Sequence, residues 1–211
     1  MELSTTEGIL ETISMNTEGI YNRLSNEDID VYVFLIDRFH SCRKSITTDH
    51  LFQFLFRSYY RLDNAGLTNE FKAAYFRIME GLSDQKEINL ETVCNSLKAY
   101  KNKKDQVTLQ FSFCTKLIAT INTDYPIYDS FVAKVFNFSL SQSDNSYEAK
   151  LVEYMRFYQY LSVVMSSISR SKEMAELDCL LINKIDNWNQ ITNTKKADFI
   201  IWTTGKIINK K

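Results

Sequence analysis

The sequence predicts an all-α protein, and three observations carry that expectation. Only five glycines and one proline punctuate 211 residues, whereas a sheet-rich protein of this length needs many more turn residues. Apolar side chains recur at helical spacing through most of the chain. The stretches between these runs are short and polar, and several carry a Thr or Asn where a helix N-cap is wanted. With 45% hydrophobic residues the chain has enough apolar side chains for a real core. It reads as about eight or nine helices, in one domain or in two small lobes sharing a core.

Residues 3–14 and 17–24 are short, weakly periodic pieces expected to pack as edge or lid helices. A stronger helix begins at Asn26, with Ile29, Val33, Ile36 and Phe39 at helical spacing. Thr47 or Thr48 then offers an N-cap, and Asp49 favours the first turn of a helix reaching about Leu62. Its wide apolar face holds Leu51, Phe52, Leu55, Phe56, Tyr59 and Tyr60. Asp63-Asn64-Ala65-Gly66 stops it, Gly66 being suited to a left-handed C-terminal turn. Thr68 caps the next helix, with Phe71, Tyr75, Phe76 and Met79 as its stripe and Gly81 as its end.

Asn89 opens a further helix through Val93, Leu97 and Tyr100. A polar connection over 101–107 leads into a helix from about Leu109 to Ile121, and another starts at Asp129. SLSQSDNSYE, from Ser139, is the most loop-like segment and the candidate hinge. Beyond it come a long helix from about Tyr147 to Ser169 and one from Lys172 to Ile185. The last, capped by Asn193 or Thr194, carries Phe199, Ile200, Trp202 and Ile207. The aromatic runs FQFLFRSYY and YMRFYQY sit at helical spacing, which favours core packing over base stacking.

Composition narrows the function classes. The net charge is −1, so no global basic signature of a nucleic-acid binder is present. The charge is uneven, however. Residues 1–30 carry seven acids against Arg23 alone, and residues 98–116 carry five lysines against Asp105. Lys101, Lys103 and Lys104 in that segment suit either a phosphate backbone or a solvated turn. Four scattered cysteines and two histidines give no zinc spacing, and the thiols are expected to be buried and reduced. No nucleophile–histidine pair or P-loop is present, and neither a metal nor a cofactor is expected. The N-terminus lacks the basic start and apolar run of a secretory leader. No apolar run nears the roughly 18 residues of a membrane span, so a cytoplasmic location without a membrane partner is expected.

The most chemical stretch is FSFCTKLIATINTDYPIYDSFVAKVF, Phe111 to Phe136. Phe113, Cys114, Leu117, Ile118 and Ile121 form a stripe with Lys116 at its edge, where a long stem can run along apolar surface. Asn122, Thr123 and Asp124 end that helix. Pro126 favours an extended Tyr125 and fixes the turn. Asp129 follows at the start of the next helix, where backbone N–H groups and the macrodipole hold a carboxylate ionised. Spacing alone is satisfied by a plain N-cap at Asp129 and a surface lysine at Lys116.

On Lys116 in FCTKLI and Asp129 in PIYDSFV, the segment resembles the centre of the helix–hairpin–helix DNA glycosylase superfamily, and the archaeal-type 8-oxoguanine enzymes in particular. The likeness covers about 30 residues and, more loosely, the helical architecture. The glycine-rich hairpin of most members has no counterpart in DQVTLQFSF, and the link from lysine to aspartate is short. The resemblance implies a two-lobed helical fold over residues 1–211, with lobes 26–106 and 146–211 around the catalytic-type segment 107–137. It implies a double-stranded DNA partner with one base flipped out of the stack. Asp129 would stabilise the positive charge that develops on deoxyribose, and a neutral Lys116 would attack C1′ and add abasic-site lyase activity. Tyr125, Tyr128 and Ser130 would line the base pocket, or the tyrosines would pack the turn onto the core. The implied role is base excision in repair or in defence against phage DNA. The alternative is a non-catalytic helical DNA- or protein-interaction protein that keeps the fold.

Overall fold

The computed structural model describes residues 3–141 and 145–209. Among them run eleven α-helices: α1 (Thr6–Met15), α2 (Thr17–Arg23), α3 (Asn26–Cys42), α4 (His50–Tyr59), α5 (Asn69–Leu82), α6 (Leu90–Leu97), α7 (Phe111–Ile121), α8 (Ser130–Val135), α9 (Tyr147–Ile168), α10 (Lys172–Leu181) and α11 (Asn193–Ile208). The nearest thing to a sheet among the described residues is one antiparallel bridge, Leu67 to Asn102. The all-α expectation is met, with more helices than eight or nine because both N-terminal pieces are fully formed. Thr5 caps the first through the Gly8 N–H, and the second follows directly from Asn16.

Capping chemistry sets most of the boundaries. Ser25 and Asp28 form a reciprocal capping box on α3. α4 is capped by Asp49 rather than by Thr47 or Thr48. Its carboxylate accepts the Phe52 N–H at 3.0 Å and meets Arg38 at 2.6 Å, while the Thr48 hydroxyl is spent on the Ser45 carbonyl. α4 stops three residues before Leu62 because Arg61 turns left-handed, at φ 59°. Gly66 is left-handed as expected, at φ 67°, but in the turn after that break. Leu51 is exposed, on the outward side of α4 with Phe54.

α5 runs one residue past Gly81 and closes at Ser83, α10 ends before Ile185, and Thr192 rather than Asn193 caps α11. Of the thiols, Cys94 and Cys114 are buried, whereas Cys42 is half-buried and Cys179 is exposed on α10. Gln142, Ser143 and Asp144, at the centre of the candidate hinge, lie outside the described residues.

The buried side chains form one continuous core cluster running from Ile9 to Ile201. Two helices occupy its centre. α7 packs against α3, α5 and α6, and nine of its eleven residues are buried. It is therefore enclosed on nearly every side, rather than amphipathic as its stripe suggests. Ser112 and Lys116 are its two half-buried positions. α11 packs against α1, α2, α8 and α9. It crosses α8 so closely that a Cβ on Gly205 would stand 2.3 Å from the Phe131 carbonyl oxygen. Glycine is what permits that approach. The described helices include none long and apolar enough to cross a membrane.

Candidate functional site: the Pro126 turn and its lysine

Between α7 and α8 the backbone of residues 125–128 is taken up by side chains from elsewhere. Lys195, at the start of α11, donates to the Tyr125 carbonyl at 2.7 Å and to the Asp198 carboxylate at 2.6 Å. The other Asp198 oxygen accepts the Ile127 N–H at 3.1 Å. Tyr158 of α9 donates to the Pro126 carbonyl at 2.8 Å, and Thr115 of α7 accepts the Tyr128 N–H at 3.1 Å. Lys195 and Asp198 are 1% and 6% exposed. A buried ion pair persists only when its remaining polar valences are filled, and here the turn's own backbone fills them. Burial pushes the Asp198 carboxyl up, against the pull of Lys195 and the Ile127 N–H, and repulsion from Asp129 adds to the rise.

The turn delivers Asp129 to the start of α8. Its Oδ1 accepts the N–H groups of Phe131 at 2.7 Å and Val132 at 3.4 Å. Oδ2 takes no protein hydrogen bond among the described residues. The side chain is half-buried. An N-cap carboxylate with one oxygen committed and one available is held in place and still able to face a developing positive charge.

Lys116, on α7, is within electrostatic reach of Asp129. Its Nζ donates to Ser112 Oγ at 3.1 Å and sits 5.1 Å and 5.7 Å from the ring centroids of Phe113 and Tyr60. It makes no ion pair among the described residues. Burial lowers its pKa, Asp129 is the carboxylate whose attraction opposes that shift, and Arg61 lowers it further. Lys116 is thus a partly desolvated amine near the rings of Tyr60 and Phe113, within electrostatic reach of the capped Asp129 carboxylate. Such a pairing suits attack on an electrophilic carbon whose departing group leaves positive charge behind.

The other expected site residues are placed differently. Tyr128 packs with Phe111, Phe138, Tyr154 and Phe157 in an aromatic cluster. Tyr125 is half-buried, its hydroxyl accepting the Ile88 N–H at 3.1 Å. Ser130 is exposed beside Asp129. Lys101, Lys103 and Lys104 are exposed on a loop fastened to the start of α5, where the Lys103 N–H meets the Gly66 carbonyl and Lys101 pairs with Asp105 at 2.9 Å. Asp105, at φ 59°, supplies the left-handed turn in this glycine-free connection. Sequence reasoning missed Lys195, Asp198 and Tyr60. The first two could have been flagged as charges three apart opening an otherwise apolar helix, TKKADFIIW. Tyr60 was hidden inside an aromatic run that is mostly core.

No protein-family model, curated protein or solved structure matches this chain.

Proposed function

We propose that this protein is a DNA glycosylase that excises a damaged or modified base, in repair or in defence against phage DNA. The observation that supports this reading is a half-buried Lys116 within electrostatic reach of the N-cap carboxylate Asp129, at either end of a turn fixed by the buried Lys195–Asp198 pair. In the proposed reaction the neutral Lys116 amine forms a bond to C1′ of a flipped nucleotide as the N-glycosidic bond breaks. The base leaves with the bonding electrons and takes up a proton. Asp129 stabilises the positive charge on the sugar. Loss of a proton from nitrogen and opening of the ring give an imine, and β-elimination from it cleaves the strand. Tyr60 and Phe113 offer the aromatic faces nearest the amine.

The test is base release from duplexes carrying single modified bases, 8-oxoguanine first. Asp129→Asn keeps a competent N-cap and is expected to fold normally while losing release by at least about a hundredfold, the scale of a single electrostatic contact. Undiminished release in that variant would sink the assignment. Borohydride trapping on a preformed abasic duplex reports Lys116 directly. The amine must be neutral, so trapping rises with pH and levels off below the 10.5 of an ordinary lysine. Trapping undiminished in Lys116→Gln removes the lysine from the mechanism. Duplex binding with no release of any base from the panel favours a non-catalytic DNA-binding protein instead.

A further inference from the structure

Three basic side chains from separate parts of the chain are linked to the neighbourhood of Asp129 and Lys116. Arg61 follows Tyr60, whose ring lies beside the Lys116 ammonium, and it projects into solvent from the left-handed break after α4. Lys206, on the last turn of α11, lies 3.1 Å over the Trp202 ring, and Trp202 meets Phe131 edge to face two residues beyond Asp129. Arg23, at the end of α2, donates to the Lys206 carbonyl at 3.4 Å. Burial lowers the Lys206 pKa, Asp28 opposes that shift most, Arg23 and Arg61 add to it, and Asp129 opposes it more weakly. The acid among them, Asp28, is committed to the Ser25 hydroxyl and N–H in the α3 capping box. The Tyr59 hydroxyl ties the Asp28 carbonyl to the end of α4 at 2.9 Å, holding both helix ends to one face.

Two further observations favour a ligand here. Arg23, Arg61 and Lys206 are all outside ion-pair distance of any carboxylate among the described residues, although the chain carries 26 acids. Arg61 also holds a backbone conformation that L-residues adopt at a cost, where glycine would be free of it. Three cations without a carboxylate partner among the described residues suit successive phosphates of a nucleic-acid backbone.

We propose that Arg23, Arg61 and Lys206 form a phosphate-binding rim that seats a DNA backbone across the mouth of the Asp129 site, and that Lys101, Lys103 and Lys104 take no part in it. The identity of the polymer rests on the glycosylase reading; the placement of the rim does not.

The probe is a fluorescein-labelled 20-base-pair duplex of unmodified sequence, titrated by anisotropy at several NaCl concentrations. Wild-type protein is expected to bind with a steep salt dependence. Each phosphate contact contributes about 0.9 to the slope of log K against log salt, so Arg23→Gln/Arg61→Gly/Lys206→Gln should flatten the slope by roughly 2.7. Affinity should fall at least about tenfold. Arg61→Gly alone should lose about one contact of slope while melting no lower than wild type, which separates binding from folding. Lys101→Gln/Lys103→Gln/Lys104→Gln should bind as wild type does. Absence of duplex binding, a triple rim variant with unchanged slope, or loss in the 101–104 variant instead would each overturn the rim. Rim-dependent binding with no base released from any modified duplex would leave the rim standing and remove the glycosylase. Base release undiminished in the triple rim variant would do the reverse.

Discussion

The two connections on either side of α7 look alike as sequences and behave as opposites in space. Residues 98–110 and 122–129 are both polar and both break a helical pattern. The first satisfies its backbone partly within itself, through Asn102 and Gln106, and partly at the exposed approach to α5, through the Gly66 carbonyl and the Thr68 hydroxyl, and its charges face solvent. The second gives its backbone to side chains 70 and 71 residues away in sequence at Lys195 and Asp198, 32 away at Tyr158 and 13 away at Thr115. What separates a positioning turn from a solvated one is therefore whether buried side chains take up its N–H and C=O groups. A turn held by distant, buried partners has one geometry, and a carboxylate at its end inherits that precision.

Substitutions can break this contrast in graded steps. Lys195→Met removes one member of the buried pair, leaving Asp198 charged and the Tyr125 carbonyl without its donor. Such losses cost about 3–5 kcal/mol, read as a lowered urea midpoint, and Lys101→Met in the other connection should cost under about 0.5 kcal/mol. Equal effects would erase the distinction. Gly205→Ala acts on the far end of the held turn. Its methyl would overlap the Phe131 carbonyl at 2.3 Å, and overpacking of this kind costs about 1–3 kcal/mol. Because Phe131 is the residue whose N–H caps onto Asp129, activity should fall in the folded variant beyond what stability predicts. Tyr158→Phe is the mildest, deleting the donor to the Pro126 carbonyl at a cost of about 1 kcal/mol. A hydrogen-exchange profile in which the amides of 127–132 open faster, and those of 102–106 do not change, would sharpen the comparison. Uniform acceleration would undo it.

Much of this was legible in the chain. Helical period and capping residues place most elements within a few residues, because Thr68, Asn89 and Asp129 satisfy backbone donors in their own helices. Asp129 could be found for the same reason: N-capping is local. The failures come from partners at a distance. α7 reads as amphipathic from its stripe, but Thr115 and Thr120 are buried as fully as its leucine because they hydrogen-bond to nearby carbonyls, including the turn. The lysine-rich segment stands out by composition, whereas Arg23 and Lys206 are single residues 183 positions apart that only folding brings into contact. Lys195 and Asp198 are ordinary in a list of charges and become exceptional only once buried.

The reliance of the turn on α11 also has a consequence for the order of assembly. Tyr125 leaves the ribosome 70 residues ahead of Lys195, an interval of several seconds at ordinary elongation rates. Through that time the loop bearing Asp129 has neither the ammonium nor the carboxylate that fixes it, so the Pro126 turn should be the last part of the molecule to mature. In refolding followed by pulsed hydrogen exchange, the Ile127 amide should become protected together with α11 and not earlier. Ordering of residues 125–129 ahead of α11 would contradict this sequence of events. On this view a chain interrupted before α11 carries Lys116 and Asp129 but lacks the buried pair that fixes the turn between them.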